Sequence, residues 1–156
     1  MTTIYEAVQA LCLSFPETEE LVSHGFPNFK VADKIFATYS VNHHGNSKVA
    51  LLLNLGKDMQ QMLVKSAPKH FYVPPYTGPK GWVGVELNKG ISWERVSQLA
   101  CDACLRTAPA NLASDIKPVK ARPPTTKMKP EDIDPYLSKA NQALLKKLRD
   151  ICLALP

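Results

Sequence analysis

Ile4, Ala7, Val8, Leu11, Cys12 and Phe15 recur at three- and four-residue spacing, which places them on one stripe of an α-helix. Thr3 suits the N-cap and Pro16 stops the run, so the spacing predicts a first helix over 3–15. An acidic turn, Glu17 to Glu20, is expected after it. Two β-type runs follow, Phe29 to Val31 and Ile35 to Val41, joined at Ala32-Asp33-Lys34. A third, Val49 to Leu55, comes after the turn-rich Asn42-His43-His44-Gly45-Asn46. Such short connections predict an antiparallel meander.

Helical spacing returns at Met59, Met62, Leu63 and Val64, between Gly56-Lys57 and Pro68. It returns again at Trp93, Val96, Ala100, Ala103, Cys104 and Thr107, with Ser92 as N-cap and Pro109 beyond the end. Between these helices lies His70 to Leu87, where two β-prone runs, Phe71 to Val73 and Trp82 to Leu87, flank the corner Pro74-Pro75-Tyr76-Thr77-Gly78-Pro79-Lys80-Gly81. Prolines fix φ and glycines permit unusual angles, so the corner is rigid and holds Tyr76 on it. The order α-β-β-β-α-β-β-α predicts an α+β domain over 1–112: an antiparallel sheet of about five strands with helices packed mainly on one face.

Beyond it, residues 113–130 hold Lys117, Lys120, Arg122, Lys127 and Lys129 with four prolines and few large apolar residues. That composition suits a basic, semi-extended linker. Over 131–156, Asp134 is expected to cap a helix with Pro135 at its first position. Leu137, Ala140, Leu144, Leu145, Leu148, Ile151, Cys152 and Leu155 make its apolar stripe. The end Ile151-Cys-Leu-Ala-Leu-Pro156 echoes Leu11-Cys-Leu-Ser-Phe-Pro16, with three of the six positions identical. A second helix with the first helix's face predicts a homodimer joined through 135–156.

Composition narrows the class. A chain of 156 residues with 45% hydrophobic and 21% charged residues fits one globular domain. No apolar run approaches the about 18 residues of a spanning helix, and the N-terminus has no basic leader, so no membrane partner and a cytoplasmic location are expected. Cys101 and Cys104 form a C-x-x-C two turns inside a helix, away from the dipole that activates redox thiols, and read as inert core with Cys12 and Cys152. No second metal-spaced pair completes a zinc set. His24, His43, His44 and His70 read as polar turn and core-edge residues, because adjacent strand residues point apart unless the turn bends them together. No nucleophile is paired with a base, so neither enzyme activity, metal nor cofactor is expected.

The residues also carry a resemblance. Leu-Ser-Phe-Pro-Glu-Thr-Glu-Glu after the first helix, Gly25-Phe26-Pro27-Asn28-Phe29-Lys30-Val31, Lys34-Ile35-Phe36-Ala37, Pro74-Pro75-Tyr76 with Gly81-Trp82-Val83, and Arg106-Thr107-Ala108-Pro109 resemble the MmcQ/YjbR family over about residues 4–112. That family of small bacterial proteins has a frataxin-like α+β fold. The resemblance implies DNA binding by two hairpin wings. On that picture Lys30, Lys34, Lys48, Lys69 and Lys80, near hairpin tips, are candidate phosphate contacts. The net charge tests it: residues 1–108 hold ten Lys and Arg against nine Asp and Glu, and residues 109–156 nine against five. Duplex affinity comes largely from neutralised phosphates. DNA binding, without sequence preference, is therefore expected to depend mainly on Lys117, Lys120, Arg122, Lys127 and Lys129. Tyr76 and Trp82 suit a ligand surface, with Trp82 suiting the core as well.

Overall fold

The computed structural model describes residues 2–134 and 139–154. Its first helix, α1 (Ile4–Cys12), begins at a reciprocal cap. The Thr3 hydroxyl accepts from the Glu6 N–H and the Glu6 carboxylate accepts from the Thr3 N–H, each at 3.1 Å. Strands β1 (Thr18–Ser23), β2 (Phe26–Val31), β3 (Lys34–Val41) and β4 (Val49–Asn54) form the predicted meander with one strand more than expected. Helix α2 (Lys57–Ser66), strands β5 (Phe71–Tyr72) and β6 (Trp82–Glu86), and helix α3 (Trp93–Thr107) complete the domain. The sheet is antiparallel in the order β1-β2-β3-β4-β6-β5.

The additional strand is β1, where an acidic turn was expected. Its residues are half-buried or exposed without clean alternation, so a search for period-two hydrophobicity misses it. Cross-strand chemistry holds it instead. Glu19 stands opposite Lys30 and pairs with it at 3.8 Å. Glu20 accepts from the Tyr5 hydroxyl and, at 2.7 Å, from the Gln9 amide, which ties the edge strand to α1.

Alternate residues of the central strands face a single core. Ala37 pairs with Leu53, Tyr39 with Leu51, and Val83 and Val85 continue the layer. Against it pack Val8, Leu11 and Cys12 of α1 and Val96, Leu99, Ala100 and Cys104 of α3. Each large apolar side chain so buried contributes about 1.5–3 kcal/mol.

From Ile116 to Lys129 the basic segment has no regular secondary structure and forms a strap packed on the domain. Ile116 is buried, and Val119, Ala121 and Met128 lie half-buried on the core. The Ser97 hydroxyl donates to the Val119 carbonyl. The Thr125 and Thr126 N–H groups donate to the Thr2 carbonyl at 2.8 and 3.1 Å. Apolar residues spaced among the prolines, each too sparse to suggest an element, anchor it.

A short helix α4 (Pro130–Ile133) then forms because Pro130 sits at its first position and Asp132 accepts from the Lys129 N–H at 2.9 Å. Asp134 closes this helix, its N–H donating to the Pro130 carbonyl, and its expected role as cap of a helix starting at Pro135 falls on residues outside those described. Pro135, Leu137 and Leu155 of the expected terminal helix lie outside the described residues. Helix α5 (Lys139–Ala154) follows, with Leu144, Leu145, Leu148 and Ile151 exposed. Among the described residues no helix is long and apolar enough to cross a membrane.

Candidate binding pocket on the second face of the sheet

Strand alternation that turns Ala37, Tyr39, Leu51 and Leu53 into the core turns their neighbours the other way. Asn28 stands opposite Thr38, Thr38 opposite Leu52, Ser40 opposite Ala50, and Leu52 opposite Gly84. Asn28, Thr38, Ser40, Leu52 and Trp82 form the floor of a pocket on the face that α1 and α3 leave uncovered. Two loops make its walls.

The first wall is the Pro-rich corner. Its own backbone closes on itself: Gly78 N–H donates to Pro74 O at 3.0 Å, Lys80 N–H to Thr77 O at 3.0 Å, and Gly81 N–H to Gly78 O at 2.9 Å. The buried Gln60 amide on α2 donates to Gly78 O at 2.8 Å and to Trp82 O at 2.7 Å. Gly81 seats the corner on α2, since its φ is +90° and a Cβ there would lie 2.7 Å from the backbone between Gly56 and Lys57. Tyr76 projects from this frame 76% exposed, with φ of 65°.

The second wall is the turn after β3. Asn42, His44 and Ser47 all adopt left-handed backbone. The Asn42 side chain accepts from Ser47 N–H at 2.9 Å. This bend meets the condition under which His43 and His44 converge, for their rings lie 4.1 Å apart. His43 also sits edge-on to Phe26 at 5.2 Å, and His44 lies 5.5 Å from Tyr76. Burial, and then the neighbouring imidazole of His44, lower the His43 pKa below the usual histidine value.

The pocket is half open to solvent, has a volume of about 600 Å³ and is lined by no Lys, Arg, Asp or Glu. Its volume falls in the range of small-molecule sites. The structure thus brings Tyr76 and Trp82 together, with Trp82 half-buried on this face rather than in the core behind it. His24, His43 and His44 also meet here, while His70 lies elsewhere, next to Phe71. Among the described residues no three His, Cys, Asp or Glu are placed to hold a metal ion. The floor residues Asn28, Thr38 and Ser40 escaped sequence reasoning. Their signal was weak: one polar residue, Asn28, within β2, and Thr38 and Ser40 alternating with apolar residues on β3.

The candidate cations are not in the pocket. Lys30 is paired with Glu19. Lys48 is half-buried against the buried Glu86 at 3.2 Å, and its ammonium lies 4.9 Å from the Tyr72 ring centre. Lys34, Lys69 and Lys80 are exposed at separate hairpin ends. Lys117, Lys120, Arg122, Lys127 and Lys129 are exposed along the strap, whose apolar residues pack on the helix-bearing core. Cys12, Cys101 and Cys104 are free and buried, whereas Cys152, expected in the core, is free and exposed on α5. Burial first, then Cys101, pushes the Cys104 thiol up to about 12, far from a reactive thiolate.

Comparison with known proteins bears on the family. A family model described as YjbR matches residues 13–103. The fold is similar to the crystal structure of a Deinococcus radiodurans protein with a DUF419 domain, at a TM-score of 0.59 and 15% identity, over 82% of this chain and 97% of that one. No curated protein matches the chain.

Proposed function

The chain belongs to the YjbR family, and from the geometry of its pocket we propose that it is a binding module rather than an enzyme, taking a small ligand between Tyr76, Trp82 and the His43–His44 turn. One observation carries this reading. Among the described residues seven non-glycine residues have positive φ, and three of them, His24, His44 and Tyr76, line this pocket. A left-handed backbone costs a bulky residue about 1–2 kcal/mol, and Tyr76 recovers little of that by packing. Strain held at exposed rings around one cavity fits a site kept for binding.

Tyr76→Gly tests it. Glycine accepts the left-handed backbone, so stability should stay within about 1 kcal/mol of the parent chain. Ring stacking is worth about 1–3 kcal/mol. Aromatic fragments that raise the melting temperature of the full chain should therefore lose that effect in the variant. Fragments that bind both proteins equally would contradict the pocket reading.

The strap supports a second reading, binding of DNA without sequence preference. Lys117, Lys120, Arg122, Lys127 and Lys129 sit exposed on a segment already pinned to the domain, so ordering them on a duplex costs less entropy than a free tail would. Changing all five to Gln leaves Ile116, Val119 and Met128 in place. Most low-salt duplex binding should then disappear in a gel-shift assay. Retained binding would shift the role to Lys34, Lys69 and Lys80. The exposed stripe of α5 supports a homodimer, and the free cysteines fit a reducing, cytoplasmic setting.

A further inference from the structure

Resting on the pocket reading above, we infer that the ligand is an uncharged, planar heterocycle whose edge carries hydrogen-bond donors, with the size and chemistry of a nucleobase. Three features of the pocket carry this.

The first is charge. No Lys, Arg, Asp or Glu lines the cavity. The lowered pKa of His43 keeps that imidazole neutral near pH 7. An ion entering here would lose hydration without gaining a counter-charge, whereas a neutral ring would not.

The second is shape. The rings of Phe26, His43, His44 and Tyr76 follow one another at centroid distances of 5.2, 4.1 and 5.5 Å. They make a continuous aromatic rim, while Leu52 and Trp82 supply apolar floor. A flat ring slid between rim and floor contacts π-faces and apolar surface at once, in the offset arrangements that aromatic groups favour.

The third is the polarity of the floor. The Asn28 amide donates to Phe26 O at 2.9 Å and to Ser23 O at 3.4 Å, and its own oxygen accepts from the Thr38 hydroxyl at 2.6 Å. The donors of Asn28 and Thr38 are thus spent inside the protein, and Thr38 has only oxygen lone pairs left to offer. Ser40 adds a hydroxyl of either sense. A ligand edge bearing N–H groups would pair with the Thr38 and Ser40 oxygens, which a purely hydrocarbon ring cannot do.

Titration of the full chain by heteronuclear NMR with adenine, uracil, toluene, benzoate and benzamidinium as probes separates the alternatives. Adenine or uracil should bind at least tenfold more tightly than toluene, benzoate or benzamidinium, with shifts at Ser40, Thr77 and Trp82. Ser40→Ala removes a floor hydroxyl and little volume, so the fold should be intact. It should weaken the nucleobase about 3- to 10-fold and leave toluene unchanged. Toluene or a charged probe binding as well as adenine, with the affinity still lost in Tyr76→Gly, would overturn the ligand class and leave the pocket reading standing. Absence of any Tyr76-dependent binding would overturn both.

Discussion

Replacing Gln60 by methionine should loosen the Pro-rich corner without disturbing the core beneath it. Methionine matches the length of glutamine but carries no donor, so two carbonyls lose a partner: Gly78 O at 2.8 Å and Trp82 O at 2.7 Å. Gly78 O keeps the Gly81 N–H at 2.9 Å, and its loss is one net hydrogen bond, about 1 kcal/mol. Trp82 O loses its donor at a site where Gln60 is only 7% exposed, and such desolvation costs about 1–3 kcal/mol. The sum is about 2–4 kcal/mol, a fall in Tm of about 5–12 °C for a chain of this size. Thermal and urea unfolding measure the loss. Hydrogen exchange should accelerate at Gly78 to Trp82 before it does on α3. Gln60→Glu is an informative companion: its carboxylate faces two carbonyls at pH 7, and protonation restores one donor, so that variant should be relatively more stable near pH 4. A methionine variant within about 0.5 kcal/mol of the parent would refute the argument that this amide holds the corner.

Lys48→Met should cost about 2–4 kcal/mol in urea unfolding, because it leaves the buried Glu86 carboxylate without its cation; a loss below about 0.5 kcal/mol would return Lys48 to the group of free surface cations. The lowered pKa of His43 means that the unfolded chain binds this proton more readily than the folded one, so its stabilising effect is complete above about pH 6.5 and is lost as pH falls through the lower folded value. Melting temperatures should accordingly fall less steeply between pH 7 and 5 in His43→Gln than in the parent, and identical slopes would contradict the assignment. The exposed Leu144, Leu148 and Ile151 on α5 predict a dimer in sedimentation, and truncation after Asp134, which retains the packed strap, should give a folded monomer. A full-length monomer would remove the dimer reading, and an unfolded truncation would assign α5 to the domain's own core.

Local chemistry made much of the fold legible from sequence. Thr3 with Glu6, Ser92, and the prolines after each helix set the helix ends through backbone groups a few residues away, and the register of Ile4, Val8 and Leu11 identifies the buried face of α1 without reference to any other element. The meander from Phe29 to Val49 needed only alternation and short turns. Edge strand β1 escaped because its stability comes from partners distant in sequence, Lys30, Tyr5 and Gln9, and not from a pattern of its own. The strap escaped for a related reason: Ile116, Val119 and Met128 are too sparse to show periodicity, and only the groove they fill makes them anchors.

The pocket divides the same way. Sequence singled out Tyr76 and Trp82, since a proline-fixed corner constrains its residues locally. It left the convergence of His43 and His44 conditional on the turn, because ideal strand geometry separates neighbours and no local rule says that His44 will take a left-handed backbone and fold one ring onto the other. Asn28, Thr38 and Ser40 read as ordinary strand residues until the antiparallel register sets them side by side beneath those rings. Backbone propensity acts over a few residues and is written along the chain. A cavity is a property of which faces meet, and here strand register, the seat of Gly81 on Gly56 and the span of the Gln60 amide fix those meetings across 18 to more than 50 residues of chain.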